Sequence, residues 1–168
     1  MVKLVKESLY EFKKGVDPLK AMGLGREGSI RKFFRNLNIP DENYIVTADQ
    51  IIFNRGLYLD GYTELIILPE GLTVGGYLYL RSCTKLTSLP EGLTVGMDLN
   101  LRGCTELISL PEGLTVGWSL DLKGCTKLTK LPKDLNVKHN IHVTGDQLEL
   151  IDFIENSDEF KNKLKIDG

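Results

Sequence analysis

The 168-residue chain is poor in the side chains that do chemistry, with two histidines (His139 and His142) and three cysteines (Cys83, Cys104 and Cys125). It has no H-E-x-x-H, no C-x-x-C and no P-loop, and no histidine stands in a Ser-His-Asp or Cys-His arrangement. Zinc needs about four converging ligands, whereas these cysteines recur once every 21 residues, in a column continued by Tyr62 and Asp146. The chain is therefore expected to be no enzyme and to hold no metal or cofactor. Long apolar runs are missing too. The opening MVKLVKESLY is broken by Lys3, Lys6 and Glu7, so neither a signal peptide nor a membrane span is expected, and a cytoplasmic location is. Charge of one sign is scarce only overall. The net value of −2 hides a basic end, with nine Lys/Arg against four Asp/Glu in residues 1–39.

What the chain does have is repetition. Aligned on the cysteines, it reads LYLRSCTKLTSLPEGLTV, LNLRGCTELISLPEGLTV and LDLKGCTKLTKLPKDLNV. One unit upstream, LYLDGYTELIILPEGLTV fits with Tyr62 in place of cysteine, and IHVTGD starts a further unit downstream. The L-x-L alternation describes a short strand with one buried face. Leu86, Leu89, Leu93 and Val95 return apolar groups to the same interior. Pro69, Pro90, Pro111 and Pro132 exclude a long helix on the return side, and Gly71, Gly92 and Gly113 allow a tight turn there. A single unit buries nothing, but stacked units share one leucine core, which makes the chain a solenoid with strands paired in parallel about 4.8 Å apart. The cysteines are expected to be small buried thiols beside leucine. Glu64, Lys85, Glu106 and Lys127 alternate in sign along the stack and are expected to pair between coils.

The unit L-x-L-x-x-C-T-x-L-x-x-L-P-x-x-L-x-V, over residues 57–144, resembles the leucine-rich repeat family. It is similar to the cysteine-containing repeats of plant immune receptors and to the LP-type repeats of bacterial effector proteins. The phrase Val74-Gly75-Gly76-Tyr77-Leu78-Tyr79-Leu80, with a short helical leader, also resembles small leucine-rich proteins encoded by bacteriophages. The effectors append a ubiquitin-ligase domain and the plant receptors a nucleotide-binding module, and the lengths here accommodate neither. The resemblance thus implies a binding scaffold without an attached activity, and, for a phage protein, action on a host factor in the host cytoplasm. The expected fold is an α/β solenoid, a short leucine-rich-repeat parallel sheet with helical caps. Its boundaries are 1–43 for the N-terminal cap, 44–145 for four to five coils and 146–168 for the C-terminal cap.

In the first cap, Leu4, Val5, Leu9 and Phe12 share one helical face, and Asp17-Pro18 opens a short helix. Ile30, Phe33, Phe34 and Leu37 follow the i, i+3, i+4, i+7 pattern, and Pro40 ends that helix. Ile45, Ile51, Ile52 and Phe53 are expected to begin the sheet, and Leu148, Leu150, Ile151, Phe153 and Ile154 to form a closing helix that Phe160 and Leu164 extend. Gly23, Gly25 and Gly28 match G-x-G-x-x-G, the spacing of a dinucleotide loop. Such a loop must follow a strand and open a βαβ helix, but Asp17-Pro18-Leu19-Lys20-Ala21-Met22 reads as helix. The glycines are better read as punctuation between helices, with Ser29 as an N-cap.

While the core columns barely vary between coils, the outward strand columns change at nearly every one. They hold Tyr58, Tyr79, Asn100 and Asp121 between the strand leucines, Tyr77 and Asp98 before them, Arg81, Arg102 and Lys123 after them, and Met97 and Trp118 one position further upstream. Tyr, Trp, Met and Arg are the types that carry interface energy. A protein partner on a concave strand face is the expected function. Tyr58, Tyr77 and Tyr79 form one anchor cluster and Met97 and Trp118 another, with a basic row beside Asp98 and Asp121. The alternative is nucleic-acid or acidic-partner binding by the basic segment through Lys13, Lys14, Arg31, Lys32 and Arg35.

Overall fold

The structure, a computed structural model, describes residues 26–167. Over residues 57–144 the chain winds as a β-solenoid with two strands in a coil and no helix between them. One wall is the L-x-L segment. β3 (Leu57–Tyr58), β5 (Leu78–Tyr79), β7 (Leu99–Asn100), β9 (Leu120–Asp121), β11 (Ile141–Thr144) and β12 (Leu164–Asp167) form a six-stranded sheet, in the order β12-β11-β9-β7-β5-β3. Pairing is parallel throughout, with Leu57 beside Leu78, Leu78 beside Leu99, and Leu99 beside Leu120. A register slip of one residue would turn the whole leucine column outward, so the repeat itself fixes the pairing.

The opposite wall is a second sheet. β1 (Ile45–Val46), β2 (Ile51–Phe53), β4 (Leu72–Val74), β6 (Thr94–Val95), β8 (Thr115–Val116) and β10 (Asn136–Val137) line up in that order, parallel except for β1 on β2. Leu72-Thr73-Val74 alternates inward, outward, inward, as a strand with one buried face must. The coils are therefore all-β, and the expected α/β character does not describe them. Pro69, Pro90, Pro111 and Pro132 fall just ahead of these strands, at the corner, where their missing N–H leaves the ladder intact. The turn glycines Gly71, Gly92 and Gly113 all take positive φ, as expected.

One continuous core runs through the stack, and Leu78, Leu80, Leu99, Leu101, Leu120 and Leu122 are fully buried in it. The three cysteines are free and buried among them. Their thiols donate to the carbonyls of Leu59, Leu80 and Leu101, each at 3.1 Å, so every sulfur is tied to the preceding coil. Burial pushes the Cys83 thiol up to about 11 and that of Cys104 to about 12, and raises Cys125 as well. On the surface, Lys85 pairs with Glu64 at 2.7 Å and Lys127 with Glu106 at 2.6 Å, the expected alternating column.

α1 (Arg26–Asn36) lies beside the first coil and places Ile30 and Phe34 in the core. The Phe34 ring centroid is 4.8 Å from that of Tyr44 and 5.1 Å from that of Phe53. Tyr62, standing where later coils carry cysteine, donates its hydroxyl to the Leu37 carbonyl at 2.7 Å and joins the first coil to the end of α1. Ser29 is not an N-cap. The helix already includes Arg26, so Gly28 and Ser29 sit inside it. Lys13, Lys14, Gly23, Gly25 and the expected helices before them lie outside the described residues.

At the far end, α2 (Leu148–Glu155) contributes Leu150 and Ile154 to the core, with Phe160 behind them. Leu164 does not extend this helix but opens β12, which pairs with β11 along its whole length. Gln147 completes the junction. Its amide nitrogen donates to the carbonyls of Leu122 (3.0 Å) and Cys125 (3.3 Å), while its oxygen accepts the Thr144 N–H at 2.8 Å. One side chain thereby satisfies backbone groups that the next coil would otherwise meet.

Candidate partner-binding face

Since strand side chains alternate, Tyr58, Tyr79, Asn100, Asp121 and His142 all project from the outer face of the L-x-L sheet, aligned by the register. Tyr58 and Tyr79 pack edge to face at 5.4 Å, and Tyr77 packs on Tyr79 at 5.6 Å, so the three tyrosines form a single cluster. Tyr58 remains 57% exposed. Further along, Trp118 is 47% exposed although its ring lies only 3.8 Å from that of His139. The His139 Nε2 atom is buried and has no hydrogen-bond partner among the described residues. Met97 is half-buried. The Trp118 N–H donates to the Met97 carbonyl at 3.2 Å, so the two residues are backbone neighbours in successive coils.

The polar residues of the face divide into two groups. Asp98 accepts the Ser119 N–H at 2.8 Å, and Asn100 and Asp121 accept the N–H groups of Arg102 and Lys123, both at 3.1 Å. These side chains satisfy the sheet as well as facing solvent. Lys123 does not continue a free basic row. Its ammonium lies 2.9 Å from Asp167 and 3.3 Å from Asp121, and Asp167 also meets His142 Nδ1 at 3.2 Å. The Asp167 hydrogen bond holds Lys123 above its ordinary pKa, and the same bond holds Asp167 below its own. Arg81 and Arg102 are exposed and make no ion pair among the described residues.

Between the aromatic clusters the face dips into a hollow of about 230 Å³, whose lining includes Tyr79, Asp98, Asn100, Trp118, Ser119 and Asp121. A larger hollow of about 510 Å³ lies against α2, between Lys130, Lys133, Glu149, Asp152, Phe153 and Phe160, and shares no residue with the strand columns. The expected concavity loses its usual physical cause. Both walls repeat at strand spacing, so neither is widened relative to the other as a helical wall would be.

The basic segment looks different once folded. Arg31 contacts Glu27 at 2.7 Å and Asp41 at 3.7 Å, and Arg35 is paired with Asp41, which leaves Lys32 with no ion pair among the described residues. Arg26, inside the glycine motif, reaches the carbonyls of Thr47 (2.9 Å), Asp49 (3.3 Å) and Glu70 (3.1 Å) beside the first coil. Its guanidinium thus serves backbone acceptors there. Among the described residues no group of three His, Cys, Asp or Glu side chains is placed to hold a metal, and no helix is long and apolar enough to cross a membrane.

Asp167, His142 and Arg26 were not among the candidate residues. His142 stands in an outward column and was legible there. Asp167 reaches the face only through the pairing of β12, which no repeat announces. No protein-family model, curated protein or solved structure matches the chain.

Proposed function

We propose that this protein is a non-catalytic binding module that recognises a protein partner on the outer face of its L-x-L sheet. The reading is carried by the two aromatic groups, Tyr58/Tyr77/Tyr79 and Trp118/His139, of which Tyr58 and Trp118 are exposed, set on a parallel sheet. Aromatic side chains bring large contact area with little rotamer entropy to lose, which is why they dominate interface energies. The scaffold keeps its inward leucines nearly constant while the outward strand columns change at nearly every coil. In keeping with the resemblance to phage-encoded leucine-rich proteins, the partner is a host factor that the module blocks or redirects. Binding through the basic segment gains no support from the ion pairs of Arg31 and Arg35 with Glu27 and Asp41.

The test is affinity capture from bacterial lysate with the wild-type chain and with the Tyr79→Ala/Trp118→Ala double variant, followed by measurement of purified candidates. The reading expects a defined partner whose affinity drops at least about 30-fold in the variant, as loss of an aromatic anchor worth about 2 kcal/mol produces. A partner held equally well by both would overturn it.

A further inference from the structure

We infer that the hollow between Tyr79 and Trp118 receives an arginine side chain of the partner, an assignment that rests on the partner-binding reading of this face. Aromatic rings wall it on two sides and carboxylates lie in its lining. One oxygen of Asp98 accepts the Ser119 N–H, and the other has no partner among the described residues. The Tyr79 hydroxyl is pushed above its ordinary pKa, first by burial and then by the charge of Asp98, so the field of that carboxylate extends across the hollow. Lys123 is the lining residue that opposes this charge, and its ammonium is already held by Asp121 and Asp167. Asp98 and Asp121, the two carboxylates of the lining, outnumber it, leaving the hollow electronegative.

A guanidinium answers all of these features together. Its plane stacks on an aromatic face, and its fork of N–H donors reaches carboxylates edge-on. A lysine ammonium offers only a strongly hydrated point charge. The volume of about 230 Å³ suits one long side chain and not a folded segment. Arg81 and Arg102, the exposed cations of the same face, are not among the residues lining the hollow. They meet other parts of the partner.

Trp118 is the single tryptophan of the chain and lines this hollow, so its fluorescence responds to a ligand bound there. The full chain is titrated with N-acetyl-arginine amide, the citrulline amide of the same shape, N-acetyl-lysine amide and methyl glucoside. The assignment expects a saturable response to the arginine amide, weakened by salt and about tenfold weaker or absent for citrulline, the effect of losing one charge-assisted hydrogen bond. Asp98→Asn retains an oxygen for the Ser119 N–H and is expected to lose the arginine response while staying folded by circular dichroism. No saturable arginine response, an equal response to citrulline, or a stronger one to lysine or methyl glucoside would overturn it. A captured partner lost in Tyr79→Ala/Trp118→Ala but unaffected by Asp98→Asn would overturn the arginine assignment alone and leave the partner-binding face standing.

Discussion

A Cβ placed on Gly117 would overlap the backbone carbonyl oxygen of Gly96, its counterpart one coil earlier. The two backbones touch at the corner where each coil passes from one sheet to the other. There the Gly117 N–H donates to the Val95 carbonyl at 2.8 Å. Gly96 stands in the same relation to Gly75. Because the obstacle is backbone, no rotamer change relieves it. Gly117→Ala is expected to cost roughly 3 kcal/mol or more, the upper range for overpacking a tight site. Gly145→Ala, which would meet only a methyl of Ile166 at 4.0 Å, is expected to change little. Urea unfolding of both variants checks this, and equal costs would contradict the close-packed corner.

Ser82 adopts φ +59°, a left-handed conformation that the equivalent positions Gly61, Gly103 and Gly124 take without a side chain. An L-residue held there carries about 1–2 kcal/mol of strain. Ser82→Gly is therefore expected to stabilise the fold by about 1 kcal/mol, allowing for the greater freedom of glycine in the unfolded chain. A raised midpoint in urea at unchanged slope is the expected result, and a lowered one would show that Ser82 is not strained.

The buried thiols make stability fall in alkali. Each has a folded pKa raised above the unfolded value of about 8.5. Their contribution is complete below that value and is lost as the pH rises toward the folded ones, because the unfolded chain releases thiol protons first. For one thiol the slope approaches about 1.4 kcal/mol per pH unit. Unfolding free energies measured between pH 8 and 10.5 are expected to decline, and Cys104→Ala to decline less steeply than the wild type. In the native state at pH 8 the thiols are expected to resist an aqueous disulfide reagent until denaturant is added. Rapid native labelling would contradict their burial.

The parallel L-x-L wall was legible because alternation and period coincide: Leu78-Tyr79-Leu80 recurs as Leu99-Asn100-Leu101, and a 21-residue offset pairs like with like. The second wall carried the same kind of signal in Leu72-Thr73-Val74. Beside the prolines and glycines of the return it read as irregular, although the outward threonines at 73, 94 and 115 stack in register. β12 could not be read in this way. Leu164-Lys165-Ile166-Asp167 belongs to no repeat, and only its pairing with β11 brings Asp167 to Lys123 and His142. The aromatic columns were found from sequence alone. The internal partners of Asp98, Asn100 and Asp121 were not, because those bonds depend on where the neighbouring backbone N–H groups point.

The most direct test of the central claim compares two variant sets against one purified partner at low and moderate salt. Arg31, Lys32 and Arg35 reversed to glutamate remove the basic surface of α1, while Tyr79→Ala and Trp118→Ala each remove one aromatic from the sheet face. The account predicts that the reversals leave affinity nearly unchanged. Each alanine variant costs about 2 kcal/mol or more, with only a shallow dependence on salt. Binding that collapses in the reversed set, falls by orders of magnitude between the two salt concentrations as phosphate contacts do, and ignores Trp118→Ala and Tyr79→Ala would contradict it.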